Sequence, residues 1–261
     1  MATEAAPSHA NRYIDQNDLL LDVKNLKMHF PVTAGFLIQR KVADNKAVDG
    51  VTFDIKRGET LGLVGESGCG KSTTGRAILQ LYKPTSGEVI FNGLDLTKQH
   101  GKELRANRRK MQMVFQNPAT SFNPTMTIGQ TLVDAMRLSG HLTVRQKEQR
   151  ALALLDQMEL DERFVALYPY EMSGGQLQRV MIARALVVGP ELLIADEPTS
   201  MLDASLRVTV LNLLRDAGVQ AGDRVVMVLG REIAWWEVLS ACLRMGAVIS
   251  PGTRKVLAPA R

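Results

Sequence analysis

The chain has 261 residues, of which 45% are hydrophobic and 23% charged, and this is typical of a globular protein with one large or two modest domains. Its formal net charge of +5 is mild, and no basic patch is interleaved with aromatic residues, so we expect no nucleic acid partner. The two cysteines, Cys69 and Cys242, argue against a disulfide framework, and no uncharged apolar run reaches the ~18 residues that a membrane span needs.

The predicted elements begin after a polar stretch, residues 1–18, which we expect to be frayed and which lacks the pattern of a signal peptide. Residues 19–30 alternate well enough to predict an edge strand. A loop or hairpin is expected over residues 31–47, and alternation over residues 51–55 predicts another strand. The first part of the chain therefore favours an antiparallel β-structure.

A phosphate-binding pattern, G-x-x-x-x-G-K-[ST], lies between an apolar strand predicted over residues 60–64 and a helix predicted over residues 73–81. The loop and the residue after it are Gly65, Glu66, Ser67, Gly68, Cys69, Gly70, Lys71, Ser72 and Thr73. Glycines let the backbone turn its N–H groups around a polyphosphate, and the positive end of the following helix adds to the attraction. Lys71 would reach the β- and γ-phosphates and the Ser72 hydroxyl would bind Mg²⁺, so the motif predicts a nucleoside triphosphate site.

The middle of the chain alternates between strand and helix signals. A strand over residues 88–91 precedes an Asn-Gly hairpin signal at Asn92. A charged helix is expected over residues 98–110, followed by an apolar strand over residues 111–115 that ends at Gln116.

Helical spacing then dominates the sequence as far as the next apolar strand. It predicts an inserted helical subdomain at about residues 121–172, after which a second helix spans residues 176–188. The strand over residues 192–195 delivers two carboxylates, Asp196 and Glu197. Asp196 is placed to hold Mg²⁺ and Glu197 to take a proton from an attacking water, although adjacent acids at a strand end can also be solvated turn residues.

With these motifs in order, residues 19–216 resemble the ATP-binding subunit of an ABC transporter. The resemblance rests on the phosphate loop, Gln116, the acidic strand end and two further motifs, Ser173-Gly174-Gly175-Gln176 and Ser200-Met201-Leu202-Asp203. It implies an α/β fold of the P-loop NTPase type, with a mainly parallel sheet core, an N-terminal antiparallel β-subdomain and an inserted helical subdomain. Residues 47–51, 62–70 and 122–124 are similar to the oligopeptide/dipeptide importer branch.

The resemblance also implies roles for individual residues. Phe30 would stack on adenine, although a lone aromatic beside a strand can also be core. Gln116 would contact Mg²⁺ and the attacking water, although a glutamine at this position can also be a polar cap at the end of a strand. Ser173, Gly174, Gly175 and Gln176 would face the γ-phosphate bound by the other subunit, and Asp203 would contact the opposing phosphate loop.

These roles imply a head-to-tail dimer, homo- or heteromeric, with ATP and Mg²⁺ at the seam. They also imply permease subunits in the membrane and a cytoplasmic location on the inner face of that membrane. The expected activity is ATP hydrolysis that powers import of a peptide-like solute. An ATP-binding dimerisation module without hydrolysis and an ABC ATPase outside transport are the alternatives.

The sequence departs from the family after residue 216. The family places a histidine that contacts the γ-phosphate after a further strand, but the last histidine here is His141 and the matching place holds Gly230. Residues 217–253 instead resemble an N-terminal segment of an adenylate-forming acyl-CoA synthetase, without its phosphate loop or catalytic lysine. We expect a fused βαβ tail over residues 217–261, with its first strand at residues 224–229, and slowed ATP hydrolysis.

Overall fold

The computed structural model describes residues 19–34, 40–57, 59, 61–65, 68–137 and 142–196, and the backbone of residues 225–229. The strands within these ranges are β1 (Leu19–Ala34), β2 (Arg40–Lys56), β3 (Leu61–Val64), β4 (Ser86–Phe91), β5 (Leu94–Asp95), β6 (Met111–Val114), β7 (Leu192–Asp196) and β8 (Val225–Leu229). The α-helices are α1 (Lys71–Ile78), α2 (Gly101–Lys110), α3 (Ile128–Ala135), α4 (Val144–Gln157) and α5 (Gly174–Leu186). None of the helices in these ranges is long and apolar enough to cross a membrane.

The first sheet is antiparallel and has the strand order β2-β1-β4-β5. The expectation that residues 19–30 form an edge strand is wrong, because β1 pairs with β2 on one side and with β4 on the other. Its apolar side chains, among them Leu21 and Val23, are fully buried, which fits an interior strand. The hairpin predicted within residues 31–47 is confirmed, with both strands longer than the sequence pattern indicated.

The second sheet is parallel and has the order β3-β8-β7-β6. β8 therefore lies between β3 and β7, and its residues pair with both neighbours in register. The strand predicted over residues 224–229 is confirmed, whereas the helix and last strand predicted for the tail lie outside the described residues. Because parallel strands end at the same edge of a sheet, the phosphate loop after β3, the end of β7 and the residues after β6 share one edge.

The helical part packs an apolar cluster between α3, α4 and α5. The cluster includes side chains that are almost completely buried: Ile128, Leu132, Met136, Leu155, Met158, Val180, Met181 and Ile182. Each of the three helices begins with a capping box, in which a Thr or Ser and the Gln three residues later exchange hydrogen bonds with each other's backbone N–H. The predicted helix over residues 176–188 is thus confirmed and begins two residues earlier.

A polar contact joins the antiparallel sheet to the end of α2 and the start of β7. Glu191 accepts a hydrogen bond from Asn92 at 2.7 Å and pairs with Lys110 at 3.0 Å and Arg57 at 3.4 Å. Burial opposes ionisation of this carboxyl, but the hydrogen bonds from Asn92 and Lys110 outweigh it and lower the pKa of Glu191. The ionised form therefore favours the folded state.

Gly87 lies where β4 approaches β1, and the first test concerns its backbone. Its φ is +99°, and an alanine Cβ would lie 2.4 Å from the Asn25 carbonyl oxygen and 2.7 Å from the Leu26 Cα. We expect Gly87→Ala to lower the free energy of unfolding by about 3 kcal/mol or more, measured by urea denaturation, because both the left-handed conformation and the overlap with backbone oppose the side chain.

Gly93→Ala is the matched control. Its φ is +76°, but no described atom lies within 4 Å of the added Cβ, so only the conformational cost of about 1 kcal/mol remains. Equal losses in the two variants would contradict the close approach of β4 to β1.

Candidate functional site

The phosphate loop is packed against the antiparallel sheet. Gly70 has φ +95°, and an added Cβ would lie 2.1 Å from the Ala47 carbonyl oxygen in β2. Gly68 also has a positive φ, of +79°, but has open space around it. Gly70 is therefore required by a close backbone approach, whereas Gly68 is required only by its turn. Glu66 and Ser67 lie outside the described residues.

Lys71 begins α1 and is only 6% exposed. Its Nζ donates a hydrogen bond to the Gly65 carbonyl oxygen at 2.7 Å and lies 3.6 Å from the Cys69 Sγ. The ammonium group is therefore held inside the curl of the loop, where the predicted phosphates would sit. The Thr74 hydroxyl donates to the Gly70 carbonyl oxygen, which ties the first turn of α1 to the loop, and Thr73 is half-buried beside it.

The Ser72 hydroxyl connects the loop to the end of β7. It donates a hydrogen bond of 2.8 Å to Oδ1 of Asp196. Asp196 is the last residue of β7, which is separated from β3 by one strand, β8. Asp196 is 1% exposed, and its Oδ2 accepts no hydrogen bond from the described part of the chain. Burial raises the pKa of Asp196, although Ser72, Arg76 and Lys71 act in the opposite direction.

These two side chains suit Mg²⁺. Mg²⁺ takes oxygen ligands, and it is usually held by one or two carboxylates with phosphate and water completing the shell. A buried carboxylate with a free oxygen, bonded to a hydroxyl beside a phosphate loop, fits that requirement. Among the described residues, no three or more His, Cys, Asp or Glu side chains form a group that could hold a metal ion.

Gln116 follows β6 by two residues and lines a cavity of about 460 Å³ at the same sheet edge. Arg76 and Phe115 line the cavity with it. Arg184 of α5 donates to the Ser121 carbonyl oxygen and lies 5.0 Å from the Phe122 ring centroid, which fixes the segment after Gln116 to α5. Gln116 thus lines a cavity at the edge where the predicted phosphates would bind, and its contact with Mg²⁺ stays a prediction.

The Ser173-Gly174-Gly175-Gln176 motif forms the N-terminus of α5. The Ser173 backbone N–H donates to the Gln176 side chain at 2.9 Å, and the Gln176 N–H donates to the Ser173 hydroxyl. Gly174 and Gly175 lie in the first turn of α5, where the backbone N–H groups have no acceptor within the helix. Ser173 and Gly174 are exposed, so this helix end faces solvent in the single chain.

The structure brings together Lys71, Ser72 and Asp196, and it places Gln116 at the same edge.

Phe30 is half-buried, packs against the core beneath β1 and meets Tyr82 edge to face, so part of its surface does serve the core. Glu197 and Asp203 lie outside the described residues, so their roles stay predictions.

Sequence reasoning missed Arg76. Its charge acts on Asp196, and its side chain lines the cavity beside Gln116. The signal was present in the sequence, because Arg76 follows Ser72 by four residues, and residues four apart share one face of a helix.

Comparison with known proteins agrees with this geometry. Residues 48–200 match the family model described as ABC transporter. The oligopeptide transport ATP-binding protein AppF of Bacillus subtilis is 47% identical over 200 residues, which cover 76% of this chain and 60% of AppF. OppF of the same organism, another oligopeptide transport ATP-binding protein, is 46% identical over 208 residues, covering 78% of this chain and 65% of OppF.

A solved structure extends the comparison to the fold. The dimeric ATP-binding cassette MJ0796 bound to ADP and Pi has a TM-score of 0.71 at 32% identity, covering 82% of this chain and 89% of that chain. The chain therefore belongs to the ABC transporter family and has the ATP-binding cassette fold. It spans 60% to 65% of the length of the two Bacillus relatives.

The raised pKa of Asp196 generates a second test. A carboxyl whose folded pKa lies above its unfolded value destabilises the fold when it ionises, and this cost disappears as the pH falls below the unfolded pKa. We expect Asp196→Asn to be as stable as the parent or more stable at pH 7 without metal, measured by thermal unfolding. The amide oxygen can still accept from Ser72, and the change replaces the buried charge with a neutral amide of similar size.

The same variant should lose the stabilisation that Mg²⁺ and ATP together give the parent, since an amide is a poorer ligand for Mg²⁺ than a carboxylate. A metal-free Asp196→Asn protein clearly less stable than the parent would show that the carboxylate is a structural anion and not a metal ligand.

Proposed function

We propose that this chain is an ATP-binding subunit that hydrolyses ATP to power the import of a peptide-like solute. The meeting of Lys71, Ser72 and Asp196 at the carboxyl edge of a parallel sheet is the observation that carries this proposal. The relatives that share 46% to 47% identity are named as oligopeptide transport ATP-binding proteins, which supports the transport class.

In this proposal Lys71 and the loop N–H groups hold the β- and γ-phosphates. Ser72, Asp196 and Gln116 would hold Mg²⁺, and the bound metal would supply positive charge that neutralises the phosphate oxygens. Glu197, the residue after β7, takes the proton from the attacking water. Phe30 contributes a ring face for stacking on the adenine.

The exposed N-terminus of α5 supports a second part of the proposal, an ATP-dependent head-to-tail dimer. Unpaired N–H groups and the positive end of a helix dipole attract a phosphate, and within one chain Ser173 and Gly174 face solvent. A second ATP-binding subunit, identical or homologous, would supply that phosphate, and Asp203 would contact the opposing loop. Permease subunits would then hold the dimer at the inner face of the membrane.

Gly230 favours a second candidate function, an ATP-binding dimerisation module without useful hydrolysis. This glycine follows β8 directly in the sequence, at the place where the family has the histidine that contacts the γ-phosphate. An ABC ATPase outside transport is a further alternative, which co-purification with permease subunits would argue against. A ligase role for the tail is least favoured and would require acyl-adenylate formation in a pyrophosphate-exchange assay.

The test is steady-state phosphate release together with binding of labelled ATP in the presence of Mg²⁺. We expect the parent to bind ATP and to release phosphate slowly, because one preorganised contact to the γ-phosphate is missing. Gly230→His should raise the rate by about 10²-fold, the order of magnitude that one such donor contributes.

Two controls separate the candidates. Glu197→Gln sets the rate without the general base, and a parent rate equal to that rate would favour the binding module. Lys71→Ala should abolish ATP retention. A parent that already turns over briskly and gains nothing from Gly230→His would contradict the idea of impaired hydrolysis.

A further inference from the structure

The side chains of Phe30, Arg76 and Tyr82 form a cluster on the flank of α1, and Tyr82 is the member that has no role in the predicted site. The ring centroids of Phe30 and Tyr82 are 5.6 Å apart with an interplanar angle of 89°, which is an edge-to-face contact. The guanidinium carbon of Arg76 lies 5.9 Å from the Tyr82 ring centroid, and its Nη1 donates to the Tyr82 hydroxyl at 3.5 Å. Tyr82 is nevertheless 37% exposed, so burial alone does not explain its position.

The backbone on both sides of Tyr82 fixes it between α1 and β1. After α1 ends, the N–H groups of Leu81 and Tyr82 both donate to the Arg76 carbonyl oxygen, which folds the chain back over the helix. Three residues later, the Thr85 N–H donates to the Lys27 carbonyl oxygen and the Thr85 hydroxyl accepts from the His29 N–H. Tyr82 is therefore held beside Phe30 by bonds to the elements on either side.

The cluster is close to the phosphate loop. Ala47, whose carbonyl oxygen allows no Cβ on Gly70, precedes Val48, and Val48 pairs with Met28 of β1. Phe30 follows Met28 by two residues, which is about 7 Å along a strand. A nucleotide whose phosphates lie in the loop can therefore bring its base to Phe30.

We propose that Tyr82 is a positioning residue for the nucleobase. Its ring holds the Phe30 ring in one orientation, and because the contact is edge to face, Tyr82 covers at most one face of Phe30. The exposed part of the half-buried Phe30 ring can then receive a base without first losing rotamer entropy, and such pre-organisation increases affinity without adding a contact. Arg76 holds the Tyr82 ring through its hydroxyl and its π-face. This inference rests on the proposed role of Phe30 in binding the base.

Isothermal titration calorimetry tests the inference with two ligands. These are ATP and inorganic triphosphate, each measured in the presence of Mg²⁺. Inorganic triphosphate has no base, so it reports only on the phosphate loop. We expect Tyr82→Ala to raise the Kd for ATP about fivefold, the scale of one aromatic pair, and to leave the Kd for inorganic triphosphate unchanged. Tyr82→Phe keeps the ring and should stay within about twofold of the parent for both ligands.

Leu81→Ala is the matched control, since Leu81 is the adjacent residue and 47% exposed. It should change neither Kd. If Tyr82→Ala weakens both ligands equally, its role is structural and the inference is overturned.

The double variant distinguishes the inference from the proposed function. Because Tyr82 acts through Phe30, the variant with both residues changed to alanine should bind ATP no more weakly than Phe30→Ala alone. Additive losses, or a selective loss in Phe30→Ala with none in Tyr82→Ala, would overturn the role of Tyr82 while the base site stands. Equal Kd changes for both ligands in Phe30→Ala would overturn the base site and the role of Tyr82 together.

Discussion

The parallel pairing of β8 with both β3 and β7 is the constraint on which the site depends. The loop that follows β3 and the carboxylate that ends β7 come from strands that do not touch each other. One intervening strand sets their separation at about 10 Å, or two interstrand spacings. The Ser72 hydroxyl spans the remaining gap to Asp196 with a hydrogen bond of 2.8 Å. A segment that lies outside residues 48–200, which match the family model, thus contributes an interior strand to the sheet.

Burying an ionised carboxylate is energetically unfavourable, and Asp196 is such a group. Burial raises the pKa of Asp196. Its Oδ2 has no hydrogen-bond partner among the described residues. Ser72, Arg76 and Lys71 offset part of that cost, and a bound Mg²⁺ would offset more of it. In the proposed metal site, affinity for Mg²⁺ and stability without Mg²⁺ would therefore be opposed at this one side chain.

Much of the site could be predicted from the sequence, because its chemistry is local. The phosphate loop, the apolar strand that ends at Asp196 and the Ser173-Gly174-Gly175-Gln176 motif before a helix are short motifs whose geometry follows from a few adjacent residues. What could not be predicted depends on contacts between distant segments. The interior position of β1 is fixed by its pairing with β4, and the requirement for glycine at position 70 comes from Ala47 in another strand. The role of Tyr82 likewise follows from how the chain turns back after α1.

Hydrogen exchange of the β8 amides, read by NMR, shows whether β8 lies inside the parallel sheet. If β8 lies between β3 and β7, the amide hydrogens of residues 225–229 should be protected as strongly as those of residues 61–64 and 192–196, since both edges of β8 are paired. Exchange of residues 225–229 at the rate of an unstructured chain, while the two flanking strands stay protected, would contradict the account.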